Sequence, residues 1–147
     1  MLDAVCREME AYAAANRIPI IRPEAADFLA DIVYYKRPEL VLEIGTAIGY
    51  STLLMAAKLP PGGRIISIEI NAERAVLAQA FWRRAGLSDR IRVLVGDAGE
   101  ILPTLAGPFE LVFIDGPKGQ YLDYLKKILD KLQLGAIVVA DNVLFRG

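Results

Sequence analysis

A chain of 147 residues is the size of one domain and is long enough to bury a substantial core. Its 54% hydrophobic and 24% charged residues exclude a disordered tail, and seventeen basic against eighteen acidic residues leave a net charge of −1, so no global basic field advertises nucleic acid or anionic lipid. The lone Cys6 and the absence of histidine remove disulfide frameworks, His-based zinc sites and every Ser-His or Cys-His arrangement, which leaves carboxylates, Lys, Tyr or a bound ion to do any chemistry.

In chain order, Leu2, Val5, Cys6, Met9 and Ala13 recur at helical spacing, and Ala25, Phe28, Leu29, Ile32 and Val33 repeat the pattern after Pro23. Two amphipathic helices are expected there. Asp3, Arg7, Glu8 and Glu10 interrupt the apolar stretch that a signal peptide would need, and no apolar run approaches a membrane span, so a cytoplasmic location is expected. From Leu40 the texture changes to short apolar runs, Leu40 to Ile44, Arg64 to Ile68, Ile91 to Val95, Leu111 to Ile114 and Ala136 to Ala140, which read as strands buried on both faces. Helical stretches lie between them: Ser51 to Lys58, Ala72 to Ala85, and Tyr121 to Leu132 with Leu122, Leu125, Leu129 and Leu132 on one face. Ile101 to Leu105 is short and interrupted by Pro103, enough for a turn or two. Alternating strands and helices predict an α/β fold with a parallel sheet, because parallel neighbours cannot be joined by hairpins.

In such sheets ligands bind outside the carboxyl ends of the strands. Acids stand at or near the end of all five runs: Glu43, Glu69, Asp97, Asp115 and Asp141. The first turn, from Glu43 through Gly45 and Gly49 to Ser51, is a tight strand-to-helix turn or a place where a ligand approaches backbone amides at a helix start. Its glycine spacing is not the G-x-G-x-x-G of dinucleotide folds, and an acid at Glu43 suits a ligand bearing an ammonium group rather than a pyrophosphate. Glu69 stands where an acid accepts hydrogen bonds from both hydroxyls of an adenosine ribose, or it assists the cap of the helix after Asn71. Asp97 is then placed beside the adenine, or is an ordinary turn acid before Gly99. Asp115, Asp141 and Asn142, from neighbouring strand ends, are hard oxygen ligands suited to magnesium or a similar divalent cation, although each also favours turns and caps.

The stretches Val41 to Ser51, Ile68-Glu69-Ile70-Asn71, Asp115-x-x-Lys118 and Asp141-Asn142-Val143-Leu144 resemble the S-adenosylmethionine-dependent, divalent-cation-dependent O-methyltransferases, the group containing catechol and caffeoyl-CoA O-methyltransferases and short bacterial relatives. The resemblance covers essentially the whole chain. It implies a Rossmann-like class I methyltransferase, mostly parallel with helices on both faces, as a single domain over 1–147 with N-terminal helices in 1–36 and the core in 37–147. It also implies that Glu43, Gly45 and Ser51 surround the methionine part of the cofactor, that Glu69 takes the ribose, that Asp97 and Ala98 flank the adenine, and that Ile21 covers the cofactor. Asp115, near the cofactor as well, joins Asp141 and Asn142 as a ligand of Mg²⁺ or another divalent cation, and Lys118 is the general base. Ala47 and Gly116-Pro117 stand where relatives carry bulkier residues. Relatives continue beyond Asp141-Asn142 with a further helix and a final antiparallel strand pair, so the sequence is either a fragment or has an open sheet edge that a partner subunit covers; that edge and the apolar N-terminal helices predict a homodimer.

The activity so implied is methyl transfer to a hydroxyl of a catechol-like small molecule. A hydroxylated uridine in transfer RNA is the other acceptor type among short relatives, and Arg83, Arg84, Arg90 and Arg92 are either a local phosphate patch for it or solvated arginines. A nucleotide-dependent oxidoreductase and a cofactor-binding or dimerising module without turnover are the competing classes.

Overall fold

The computed structural model describes residues 2–115 and 118–140. Helix α1 (Leu2–Ala15) buries Val5, Cys6, Met9 and Ala13, the stripe read from the sequence. Helix α2 (Pro23–Lys36) starts on a proline, whose missing N–H costs nothing in a first turn, and stops at Arg37, which enters the left-handed region at φ 51° while its N–H bonds the Val33 carbonyl. The alternating part follows as β1 (Leu40–Ile44), α3 (Tyr50–Ala56), β2 (Arg64–Glu69), α4 (Ala72–Arg84), β3 (Ile91–Val95), α5 (Ala98–Ile101), β4 (Phe109–Ile114), α6 (Tyr121–Ile128) and β5 (Leu132–Ala140).

All five strands are parallel, in the spatial order β3-β2-β1-β4-β5. The order reverses between β1 and β4, so the crossover helices fall on opposite faces and part above that point. Alternation along the strands divides the core accordingly. Val41, Ile65, Leu111 and Phe113 pack with α1 to α4, including Leu29, Leu53, Phe81 and Trp82. Leu42, Ile44, Ile68, Val112 and Ile114 pack with α5 and α6.

Three expectations need correction. The edge strands are not buried on both faces as β1 and β4 are: β3 has no fully buried residue, nor does β5, where Leu134 is 98% exposed. The last helix ends at Ile128, and after a 3-10 turn over Leu129–Lys131 the strand begins at Leu132, four residues earlier than read. Leu132 pairs with Phe109, the first residue of β4, whose backbone groups would otherwise lack a partner on that side. Finally, α6 buries Tyr121, Tyr124 and Ile128 and turns Leu122 outward at 64% exposure, and Leu129 of the 3-10 turn is likewise outward at 62%. Two stripes of equal spacing compete on so short a helix, and the tyrosine rings have the larger apolar area to bury. Among the described residues no helix is long and apolar enough to cross a membrane.

Candidate functional site

A cavity of about 440 Å³ opens along the carboxyl ends of the strands. Ile44, Gly45 and Ala47 line it from the exit of β1, Glu69 and Ile70 from β2, Gly96, Asp97 and Ala98 from β3, and Asp115 from β4. Gln120 and Tyr124 close one side, Arg74 of α4 another, and Pro19 and Ile20 come from the segment before α2.

The β1 turn is shaped by the protein's own packing. Gly45 has φ +100°, and a Cβ on it would lie 2.1 Å from the carbonyl oxygen of Asp115, while Asp115 donates its N–H to the Ile44 carbonyl at 2.8 Å. A Cβ at Gly49 (φ +89°) would lie 2.5 Å from Nε1 of Trp82, whose ring N–H donates to the Gly49 carbonyl. The turn's amides are already engaged: those of Gly45 and Thr46 donate to the Ile68 carbonyl, that of Gly49 to the Thr46 carbonyl, and that of Ala47 to the Glu69 carboxylate. No cradle of free N–H groups of the kind that holds a pyrophosphate is left at these four positions, which counts against a dinucleotide cofactor. Ala47 itself sits at φ 51°, a conformation that costs a residue with a Cβ about 1 kcal/mol or more and is held by that contact with Glu69.

Glu69 is the best-anchored acid of the rim. Only 6% exposed, it accepts the Ala47 N–H on Oε1 at 2.8 Å and the Asn71 N–H on Oε2 at 3.0 Å. Each oxygen keeps a lone pair for a ligand, so the carboxylate faces the cavity oriented and still able to accept. Asn71 in turn caps α4 by accepting the Arg74 N–H, and Asp97 caps α5 by accepting the Gly99 N–H at 2.8 Å. At these two positions the structure shows the turn and cap roles, and both Glu69 and Asp97 also line the cavity.

Glu43 and Ser51 lie elsewhere than beside the cavity. Glu43 is wholly buried behind the turn, on the α1 to α4 side, and accepts hydrogen bonds from Ser51 Oγ (2.5 Å), Thr52 Oγ1 and Ser67 Oγ (2.7 Å). Burial pushes its carboxyl up to about 7; the three hydroxyls oppose the rise and the nearby Asp115 adds to it. Ile21 is likewise in the core, whereas its neighbours Pro19 and Ile20 line the cavity. Sequence reading overlooked Pro19, Ile20, Arg74, Gln120 and Tyr124, whose only signal was their place near strand ends or helix starts.

At the β4 end, Asp115 borders the cavity directly after the strand, and Lys118 opens a 3-10 turn over Lys118–Gln120. Asp141 and Asn142 lie outside the described residues. The strand that leads to them reaches Ala140 in register with Ile114, the residue before Asp115. Among the described residues no three acidic or thiol side chains cluster closely enough to hold a metal ion.

Comparison with known proteins places this architecture. The chain belongs to the O-methyltransferase family, whose pattern it matches over residues 3–147. It is 37% identical over 150 residues to a catechol O-methyltransferase of Niastella koreensis, covering 99% of this chain and 68% of that protein. With a catechol O-methyltransferase of Mycobacterium tuberculosis it shares 44% identity over 108 residues, covering 73% and 49%. The crystal structure of an O-methyltransferase from Bacillus cereus in complex with SAH superposes with a TM-score of 0.90 at 31% identity, covering 97% of this chain and 67% of that one. The chain thus spans between about half and two thirds of the length of these relatives.

Proposed function

We propose that the protein is a divalent-cation-dependent O-methyltransferase that moves a methyl group from S-adenosylmethionine to a hydroxyl of a catechol-like small molecule. The observation that carries this reading is Glu69, fixed at both oxygens by backbone amides while it faces a cavity that ends at Asp115, in a chain of the O-methyltransferase family. An acid with one lone pair left on each oxygen matches the two vicinal hydroxyls of a ribose. Asp97 and Ala98 bound the end of the cavity suited to the base, and Ile44, Gly45 and Ala47 bound the middle.

The cation fits the donor chemistry at the other end. Asp115 offers a carboxylate at the rim, and Asp141 and Asn142 follow a strand that runs in register beside it, so hard oxygen donors would hold Mg²⁺ or a similar ion. When bound, the ion would lower the pKa of a chelated hydroxyl, and the sulfonium of the cofactor would present an electrophilic methyl. Lys118 would take the hydroxyl proton if its pKa lay well below the usual value of about 10.4, and would otherwise orient the substrate. The remaining contribution of the chain is alignment of the two reacting groups, worth at most roughly 7 to 11 kcal/mol.

The test is calorimetry with S-adenosylmethionine and NAD, together with a methyl-transfer assay on catechol with and without Mg²⁺. Binding of the first ligand alone and metal-dependent O-methylation are expected. Asp141→Ala is expected to abolish the turnover and leave cofactor affinity within about threefold of wild type; loss of both together would overturn the division of the rim into a cofactor half and a metal half.

A further inference from the structure

The side of the cavity formed by α6 carries a polar pair that the proposed function leaves unused. Tyr124 is buried, 4% exposed, and its hydroxyl donates to Oε1 of Gln120 at 2.6 Å. Gln120 is the residue that caps α6, yet its side chain makes no capping hydrogen bond; it turns to Tyr124 instead. Both residues line the cavity, together with Gly96, Asp97 and Ala98. Burial, and next the Asp97 and Asp123 carboxylates, raise the Tyr124 pKa, so the hydroxyl keeps its proton and remains a donor.

The chemistry of the amide follows from that anchor. A glutamine amide has two lone pairs on oxygen and two N–H donors on nitrogen, all in one plane. Tyr124 occupies one lone pair and leaves an acceptor beside a donor on the same edge. That pattern complements a 6-aminopurine, whose amino group donates next to a ring nitrogen that accepts. A 6-oxopurine presents the reverse order on its N1 edge, which an amide can read only after turning over by 180°, and two acceptors on its N7 edge, which an amide cannot pair at both positions.

Resting on the adenosyl-cofactor reading above, we infer that Gln120, in the orientation its oxygen takes against the Tyr124 hydroxyl, determines specificity for a 6-aminopurine base at this end of the cavity. Tyr124 acts as a positioning residue: it reaches the base through Gln120.

The experiment is isothermal titration of the 147-residue chain and two variants with S-adenosylhomocysteine and with its inosine counterpart, the adenine being replaced by hypoxanthine. The wild-type chain is expected to prefer the adenosyl ligand by about tenfold or more, the discrimination typical of a bidentate amide contact. Gln120→Ala, at an exposed position, is expected to weaken the adenosyl ligand by about tenfold and leave the inosyl ligand unchanged, so that the preference disappears. Tyr124→Phe keeps the buried ring and frees the amide to turn over; the preference is expected to shrink to about threefold, chiefly because the inosyl ligand binds better. Equal loss on both ligands in Gln120→Ala, or no loss on either, would overturn the assignment of Gln120. Full preference retained in Tyr124→Phe would overturn the role of Tyr124. A wild-type chain that binds neither ligand would remove the adenosyl-cofactor reading itself, an outcome distinct from adenosyl binding that is indifferent to Gln120.

Discussion

The two sides of the sheet reversal are built to different standards. On the β1–β2 side the acids are buried and anchored: Glu43 accepts three hydroxyl hydrogen bonds, and Glu69 accepts one amide on each oxygen. On the β4–β5 side Asp115 is half-buried at the rim, and β5 carries no fully buried residue along its nine positions. The first side is preorganised by its own chain, as a pocket for one invariant ligand should be. Among the described residues, the second side has a scaffold strand but little cover.

That contrast can be broken most directly at the point where the sides touch. Gly45→Ala would place a methyl 2.1 Å from the Asp115 carbonyl at a positive φ, and should cost about 4 kcal/mol or more, read as a large fall in the urea midpoint. A loss under about 1 kcal/mol would show that the two exits are not held together. Next comes pH. The Glu43 carboxyl is raised to about 7 in the fold from an ordinary value of 4.5. The native state therefore holds a proton that the unfolded chain has released, and the stabilisation, complete below about 4.5, is lost as pH rises through 7. The drop is about 3 kcal/mol at 1.36 kcal/mol for each pKa unit. Denaturation curves for wild type and Glu43→Gln between pH 4.5 and 7.5 should diverge accordingly, with the variant nearly flat; parallel curves would mean that the carboxylate is ionised throughout.

Smaller effects sharpen the same contrast. Glu69→Ala should weaken S-adenosylhomocysteine by roughly 50-fold, because it removes charge-assisted hydrogen bonds and also releases Ala47. An unchanged dissociation constant would move the ribose elsewhere. Leu134→Lys, on the exposed part of β5, should alter stability by less than about 0.5 kcal/mol, whereas a larger loss would reveal cover over that strand.

The five strands and most helices were legible because their signals are local. Apolar runs of strand length, Asn71 before α4 and Pro23 at the start of α2 each act within a few residues. The boundary at Leu132 was not, since its partner Phe109 lies far back in the chain and only the assembled sheet shows the unmet backbone groups. The same divide runs through the site. Glu69 and Asp115 stand out as acids at strand ends. That Glu43 faces away from the cavity, however, depends on which side of β1 its single alternation step selects, and the glycine turn reads equally well as a ligand cradle until Trp82 and the Asp115 carbonyl are seen filling the space. Gln120 and Tyr124 are one helical turn apart and unremarkable in sequence; only the cavity gives them a common object.

The backbone seam between Gly45 and Asp115 also fixes a length. With no side chain interposed, and with the Asp115 amide bonded to Ile44, the proposed cofactor half and metal half of the rim share a common baseline. In a displacement whose rate falls steeply with each fraction of an ångström of separation, such a baseline works as a ruler. Under the proposed function, acceptors of different outline would be exchanged over the β5 side while the span from sulfur to oxygen stayed set by these two peptide units.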